Sequence, residues 1–325
     1  MRTPARRPDR PPGLHYDAGF VGPKDYADIL AWLRTVHPLW ELRFSDRRPP
    51  PGGQPQRSLL RPVYWLGNWQ FACLDYYRPP EGLRDRCVAA EAFPAVLARL
   101  VRRIEDLTHR LFPPAIVPDG WRINTCLVNL YGDRIENGKR VDVARVGEHK
   151  DFEPGPVASI SVGERALFQF VSSRKPGSRD AVELQQWLDD GSLLIFAGNH
   201  WKRRLFHRVQ RVDRRAKATF EFPVEGFETR RVNFTFRYVP DEHVTPFSGL
   251  SAEAREDIRG YMETLARHSS WFRDQLQGET ATPAEDGPVP ASASRPRGTA
   301  AATGPPPDAA HRGGFPPRVP RGPAR

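Results

Sequence analysis

One short segment restricts the fold and the chemistry of this chain more than any other. It runs from Arg231 to Arg237 and reads RVNFTFR. Successive side chains of a β-strand point to opposite faces, so the polar residues share one face and the apolar residues between them share the other. The segment therefore predicts a strand with one face in the core. The two guanidiniums on its other face could hold the two ends of a small dicarboxylate.

A second segment offers two metal ligands. His149 and Asp151 are separated by one residue and can present an imidazole and a carboxylate to one ion. With a third ligand from a distant strand, they would form the two-histidine, one-carboxylate arrangement of non-haem iron oxygenases. Two histidines are candidates for that ligand. His207 lies in a strand-like run and is favoured, whereas His200 lies in a predicted turn.

The periodicity of apolar residues divides the chain into a helical front part and a strand-rich second part. Apolar residues recur at helical spacing over 92–112, and an earlier helix opens near Pro23. Short runs bounded by Gly, Pro and Asp predict strands at 122–131, 157–163, 166–171, 192–197, 205–212, 217–222 and 230–239. Such a series indicates an α+β fold with a jelly-roll core, a double-stranded β-helix, behind N-terminal helices.

Two further expectations complete this description of the fold. The stretch between Tyr131 and His149 is interpreted as a polar loop. One C-terminal helix is predicted over about 251–276, with Ser251 as its N-cap and acidic residues in its first turn.

Composition predicts where the ordered domain begins and ends. Only 39% of the residues are hydrophobic and 34 are proline, and many of these prolines lie near the two ends. Residues 1–12 and 279–325 are predicted to be disordered because they cannot bury enough apolar surface. One domain, 13–278, is expected between them, with a substrate lid at about 40–90 and the jelly-roll core at about 122–240.

Charge and apolar content bear on partners and location. The net charge of +10 is compatible with nucleic-acid binding. No apolar run reaches the ~20 residues that span a bilayer, and no secretory signal is recognised at the start. The three cysteines have no metal-ligand spacing. A monomeric cytoplasmic protein is therefore expected.

Taken together, these motifs resemble the AlkB family of iron(II)- and 2-oxoglutarate-dependent dioxygenases. The matching pieces occur in the family's order and are Asn129-x-Tyr131, His149-x-Asp151, the strand 159–163, the turn 190–194, His207 and the RxNxTxR segment 231–237. The resemblance implies that His149, Asp151 and His207 bind Fe(II). It also implies that Arg231 and Tyr131 hold the C5 carboxylate of 2-oxoglutarate, while Arg237, Asn129 and Asn233 steady its C1 end.

The activity implied by the resemblance consumes O₂ and 2-oxoglutarate and hydroxylates a C–H bond of the substrate. Our first hypothesis is oxidative dealkylation of N-alkylated bases in DNA or RNA, as in alkylation repair. The alternatives are hydroxylation or demethylation of a protein or small molecule, and a nucleic-acid-binding module without turnover.

Three parts of the sequence are candidates for contact with a nucleic-acid substrate. The basic run 201–217 surrounds His207 and includes Arg203 and Arg204, which could hold phosphates. Glu153 resembles the acidic residue with which members of the family contact the base. The aromatic segment 63–77 falls where the family carries its lid, and its rings could hold a base that has left the stack. Its candidate rings are Tyr64, Trp65, Trp69 and Tyr76.

Overall fold

The structure is a computed structural model. It describes residues 11–280 except 46, 75–86, 174–181, 213–219 and 221–223. The tail predicted at 1–12 lies outside the described residues apart from 11 and 12, and the tail predicted at 279–325 apart from 279 and 280. The strand predicted at 217–222 also lies outside them except for Phe220, which forms a single β-bridge with Thr229.

Fourteen strands and four α-helices are found among these residues. The strands are β1 (Leu14–Asp17), β2 (Val63–Leu66), β3 (Asn68–Trp69), β4 (Cys87–Ala89), β5 (Thr125–Glu136), β6 (Lys139–Asp142), β7 (Val146–His149), β8 (Val157–Gly163), β9 (Ala166–Val171), β10 (Val182–Leu188), β11 (Leu193–Phe196), β12 (Phe206–Val212), β13 (Phe227–Arg237) and β14 (Val244–Thr245). The helices are α1 (Pro23–Leu33), α2 (Ala95–Leu111), α3 (Ala252–Ala266) and α4 (Ser270–Thr280).

Two antiparallel sheets form the jelly roll. The larger has the order β1-β11-β8-β13-β5-β2, with β6 added beside β5, and the smaller has the order β10-β9-β12-β7. One buried apolar cluster joins them, with Phe168 and Phe170 from β9 against Leu194 and Phe196 from β11. The α+β fold with a double-stranded β-helix core is therefore confirmed.

Strand β13 lies in the middle of the larger sheet, between β5 and β8. Its apolar face, Val232, Phe234 and Phe236, is fully buried in the main core, on the side where the helices pack. Trp32 of α1, for example, lies 6.2 Å from the Phe234 ring. The polar face must then point the other way, between the two sheets, as the alternation predicted.

A β-bulge at the start of β13 determines which residues share the polar face. Thr229 pairs with Gly132 and Arg231 pairs with Tyr131, so Arg230 is the extra residue. The backbones approach so closely here that a Cβ at Gly132 would lie 1.8 Å from the carbonyl oxygen of Glu228. Arg230 forms ion pairs with Asp133 and Glu164. Gly132 thus permits the pairing on which the direction of Arg231 depends.

The helix predicted at 92–112 is α2, which begins later because Pro94 occupies its N-cap position. Its buried residues lie on one face and are Val96, Leu97, Leu100, Val101, Ile104 and Thr108. It ends before Phe112, whose backbone is extended, and Pro113 follows.

Two predictions about the fold were wrong. The single C-terminal helix is two helices, because the chain leaves α3 to make tertiary contacts: the His268 ring stacks on His37, and Ser269 donates a 2.7 Å hydrogen bond to Glu91. Ser251 does cap α3, accepting from the Ala254 amide. The polar loop predicted between Tyr131 and His149 is instead a hairpin of β5 and β6 followed by β7.

Strand β10 was not predicted. It is an edge strand of the smaller sheet with polar residues on its more exposed face, so its apolar signal is weak.

Candidate active site

Three potential metal ligands converge at one end of the smaller sheet. His149 ends β7 and lies opposite His207 of β12, and Asp151 follows two residues after His149. One potential ligand atom from each of the three lies within 4.8 Å of the others. The Nε2 atom of His207 is 3.3 Å from Oδ2 of Asp151. His200, the alternative candidate, lies instead in the π-helical turn Asn199–Arg204, against Trp201.

The protonation states of these groups suit a cation. The Nδ1 atom of His149 is 2.8 Å from the Gly147 carbonyl oxygen, which leaves Nε2 available to an ion. Burial, together with His207, lowers the pKa of His149 to about 3, so the imidazole is neutral at physiological pH. Burial alone would raise the pKa of Asp151. Arg237 and both imidazoles outweigh that effect and hold it well below its usual range.

The residues present therefore fit a divalent metal ion. Oδ2 of Asp151 is buried, ionised and without a hydrogen-bond partner among the described residues, and two imidazoles adjoin it. A buried anionic oxygen of this kind is costly unless a cation or donor reaches it. A two-histidine, one-carboxylate set is the donor set of non-haem iron(II) oxygenases.

The polar face of β13 forms one wall of a cavity of about 730 Å³ that contains the three ligands. Arg231, Asn233, Thr235 and Arg237 all line it, as do Asn129 and Tyr131 of β5. Asn233 lies opposite Asn129, and Arg231 lies opposite Tyr131. The structure thus brings together every residue expected to hold the metal or 2-oxoglutarate.

Arg231 is a buried cation that needs an anion. Only 1% of its surface is exposed, and burial lowers its pKa. Its Nη2 donates to Ser161 Oγ (2.9 Å) and Asn233 Oδ1 (2.6 Å), but Nε and Nη1 have no hydrogen-bond partner in the described part of the chain. A carboxylate could accept a hydrogen bond from either of these nitrogens. The site therefore fits one end of 2-oxoglutarate.

Arg237 contacts one of the three metal ligands, Asp151, directly. Its Nε and Nη2 lie 2.9 and 2.7 Å from Oδ1 of Asp151, and its Nε lies 3.6 Å from Glu153. The resemblance assigned it to the C1 end of 2-oxoglutarate. In the structure it orients and ionises the carboxylate that faces the metal position.

The expectation that aromatic residues of 63–77 face the substrate was wrong for the rings described. Tyr64, Trp65 and Trp69 belong to the main core, with 4%, 1% and 1% of their surfaces exposed. Strands β2 and β3 carry them into the sheets, so these residues stabilise the fold and line no part of the cavity. Tyr76 lies outside the described residues.

Glu153, Arg203 and Arg204 also do not line the cavity. Glu153 is buried beneath it, and its backbone carbonyl accepts from Lys202, which donates to the Gly155 carbonyl as well. This burial contradicts the expected contact with a base. Arg203 and Arg204 are exposed on the π-helical turn, next to the metal ligands in sequence but outside the cavity wall.

Sequence reasoning missed several residues that line the cavity: Arg43, Arg61, Lys150, Phe152 and Phe206. Lys150 and Phe152 flank Asp151, and Phe206 precedes His207, so their nearness to the ligands could have identified them. Arg43 and Arg61 come from the segment between α1 and β2, and only the pairing of β2 with β5 brings that segment to the site.

Among the residues that the structure describes, none of the helices is both long and apolar enough to cross a bilayer.

Comparison with known proteins identifies the family. The family model described as the 2OG-Fe(II) oxygenase superfamily matches residues 13–237. No curated protein matches. The chain is similar to a solved structure entitled "The structure of OsALKBH1", with 21% identity over 71% of this chain and 100% of that chain and a TM-score of 0.45. The family model decides the assignment. The chain belongs to the 2OG-Fe(II) oxygenase superfamily and is a dioxygenase that uses Fe(II) and 2-oxoglutarate.

Proposed function

We propose that this dioxygenase removes alkyl groups from nitrogen atoms of nucleobases in DNA or RNA. The observation that carries the proposal is the character of the cavity's opening. Among the lining residues that also reach solvent, Arg43 and Lys150 are basic and Phe152 and Phe206 are aromatic. The acidic one, Glu148, is paired with Arg208. Cations that hold phosphates and rings that stack on bases are what single-stranded nucleic acid requires.

Two aromatic side chains lie at the opening. Phe152, directly after Asp151, is 36% exposed although it is a large apolar residue. Phe206 precedes His207, and the Lys150 ammonium lies 4.3 Å from its ring. Lys150 also donates to the Arg203 carbonyl, which brings the exposed Arg203 and its neighbour Arg204 to the same side. Positive charge, one exposed ring and one partly exposed ring therefore adjoin the metal position, where the reacting base would lie.

The interior supports oxidation close to the three ligands. When bound, Fe(II) and 2-oxoglutarate supply the oxidant that hydroxylates a C–H bond with O₂. Arg237 keeps Asp151 ionised, and the Gly147 carbonyl orients His149. Arg231 has N–H groups with no hydrogen-bond partner among the described residues, and a carboxylate could accept from one of them. Phe168, Phe196 and other apolar side chains line the inner wall and limit the water beside the reacting carbon. A hydroxylated N-methyl group then breaks down to formaldehyde and the free amine.

Turnover with methylated and unmethylated oligonucleotides of the same sequence tests this proposal. We expect the methylated strand to yield equal amounts of formaldehyde and succinate, and the unmethylated strand to yield no formaldehyde. The double substitution His149→Ala and Asp151→Ala should abolish both products. If methylated DNA and RNA give no formaldehyde while a methylated peptide or metabolite does, the enzyme belongs to the alternative class of hydroxylases.

A further inference from the structure

Arg61, which lies outside every motif in the sequence, occupies a position equivalent to that of Arg231. The pairing of β2 with β5 places Val63 opposite Asn129, and the Leu130 amide donates to the Pro62 carbonyl. Continuing this antiparallel register by two residues brings Arg61 level with Tyr131. On the other side of β5, Tyr131 pairs with Arg231. One row across the sheet therefore contains Arg61, two residues before β2, Tyr131 of β5 and Arg231 of β13.

The side chains of this row face the same cavity. All three residues line it. The guanidinium carbon of Arg61 and that of Arg231 each lie 4.7 Å from the centre of the Tyr131 ring. Both contacts have the geometry of cation–π interactions. The cavity therefore contains two guanidiniums at one end, with the same aromatic ring against both.

Backbone carbonyls hold Arg61 in place. Its Nη1 donates to the backbone carbonyls of Arg145 (3.0 Å) and Val143 (3.3 Å). No acidic side chain pairs with it in the part of the chain that the structure describes. Its charge also opposes ionisation of Arg231, as expected for two cations that share a cavity. A bound anion would relieve that repulsion, so the row is most stable when the cavity holds negative charge.

We propose that Arg61 is a specificity-determining residue for the co-substrate, a second cation that selects a 2-oxo acid with a far carboxylate. Arg231 offers hydrogen bonds to that carboxylate, and Arg61 adds charge at the same end of the cavity and fixes the Tyr131 ring. This inference rests on the family's use of 2-oxoglutarate and does not depend on which substrate is oxidised. The competing view is that Arg61 only supports the loop 143–145, whose carbonyls it binds.

Binding to two 2-oxo acids of equal chain length separates these views. 2-Oxopentanoate carries a methyl group where 2-oxoglutarate carries its far carboxylate. Titration calorimetry of each acid into the anaerobic Fe(II)-loaded enzyme measures affinity without turnover. For Arg61→Gln we expect 2-oxoglutarate to bind about tenfold more weakly and 2-oxopentanoate to bind within about twofold of wild type. The selectivity ratio should then fall by about the same factor of ten.

Two further variants complete the test. Arg61→Lys keeps a positive charge and should retain most of the selectivity. Arg145→Gln removes an exposed arginine from the neighbouring loop and should leave the ratio unchanged, because its side chain does not line the cavity. An unchanged selectivity ratio in Arg61→Gln would overturn the proposal. So would a variant that binds both acids equally more weakly and has a lower melting temperature. If Arg61→Gln does not fold, loss of selectivity in a folded Arg61→Lys protein would equally contradict it.

Discussion

His207 lies directly opposite His149 across the pairing of β12 with β7, and the centres of their rings are 4.1 Å apart. Two neighbouring strands therefore fix both histidines without the help of a loop. Only Asp151 comes from irregular backbone, and Arg237 and the Lys202 contacts with the following residues hold that segment. A site built on strands keeps its ligands in place before a metal arrives.

This arrangement gives the first prediction, which concerns the third ligand. His207→Ala should reduce Fe(II) binding by at least about a hundredfold and abolish turnover, because it removes one of three protein ligands. His200→Ala is the matched control, since His200 lies only a few residues away in the π-helical turn. Metal binding can be measured by equilibrium dialysis. Similar losses in both variants would contradict the assignment of His207.

The second prediction concerns the ion pair between Arg237 and Asp151. Arg237→Gln should lower turnover by a factor of about 10²–10³ and weaken Fe(II) binding by about 10–100-fold, because Asp151 loses the cation that ionises and orients it. Steady-state succinate formation and metal titration measure the two effects. Turnover at the wild-type level would show that the pair is not needed.

The third prediction concerns the buried lysine in the π-helical turn. Lys202→Ala should lower the free energy of unfolding by about 2–4 kcal/mol, because the carbonyls of Glu153 and Gly155 lose their donor inside the protein. Lys24→Ala is the control. Lys24 forms an exposed i,i+4 pair with Asp28 and should contribute at most about 0.5 kcal/mol. Urea denaturation of both variants tests this difference.

The fourth prediction is a dependence of stability on pH. Burial raises the pKa of Glu41 to about 7, despite the donors Trp69 Nε1 and the Ala72 amide. The folded state then holds a proton that the unfolded state releases between about pH 4.5 and pH 7. The contribution of Glu41 to stability is therefore complete at about pH 4.5 and below, decreases as pH rises to about 7, and is constant above that.

Comparing the unfolding free energy of wild type with that of Glu41→Gln separates the contribution of Glu41 from those of the other carboxylates. The difference in unfolding free energy between wild type and variant should shift by a few kcal/mol in favour of the variant over that range. A difference that stays constant from pH 4.5 to pH 7 would show that Glu41 titrates normally.

The fifth prediction concerns the basic opening of the cavity. Arg43→Gln and Lys150→Gln should each weaken binding of single-stranded oligonucleotides and reduce the slope of log K against log salt by about 0.7. Arg102→Gln removes an exposed arginine of α2 that does not line the cavity, and should leave the slope unchanged. Fluorescence anisotropy at several salt concentrations provides the measurement.

Patterns within single segments predicted much of the fold and of the candidate site. The alternation in RVNFTFR predicted both faces of β13, because a strand repeats every two residues whatever its neighbours are. The spacing of His149 and Asp151 and the strand-like surroundings of His207 predicted a set of ligands that the structure brings together.

The errors came from interactions between segments. The core requires large rings as much as a substrate site does, so the sequence alone could not assign Trp65 and Trp69 to one or the other. Burial of Glu153 depends on Lys202, which lies 49 positions later. The position of Arg61 depends on the register of β2 against β5. Side chains that act through such pairings leave no local pattern in the sequence.

Strand β13 also links the stability of the folded protein to the concentration of 2-oxoglutarate. One face of the strand packs in the main core, and the other carries the buried guanidinium of Arg231. Two nitrogens of that guanidinium have no hydrogen-bond partner in the part of the chain that the structure describes. Any molecule that binds only the folded chain stabilises it in proportion to the logarithm of its concentration. 2-Oxoglutarate is such a molecule for this enzyme. Its concentration in the cell should therefore affect the lifetime of the folded enzyme as well as the rate of turnover.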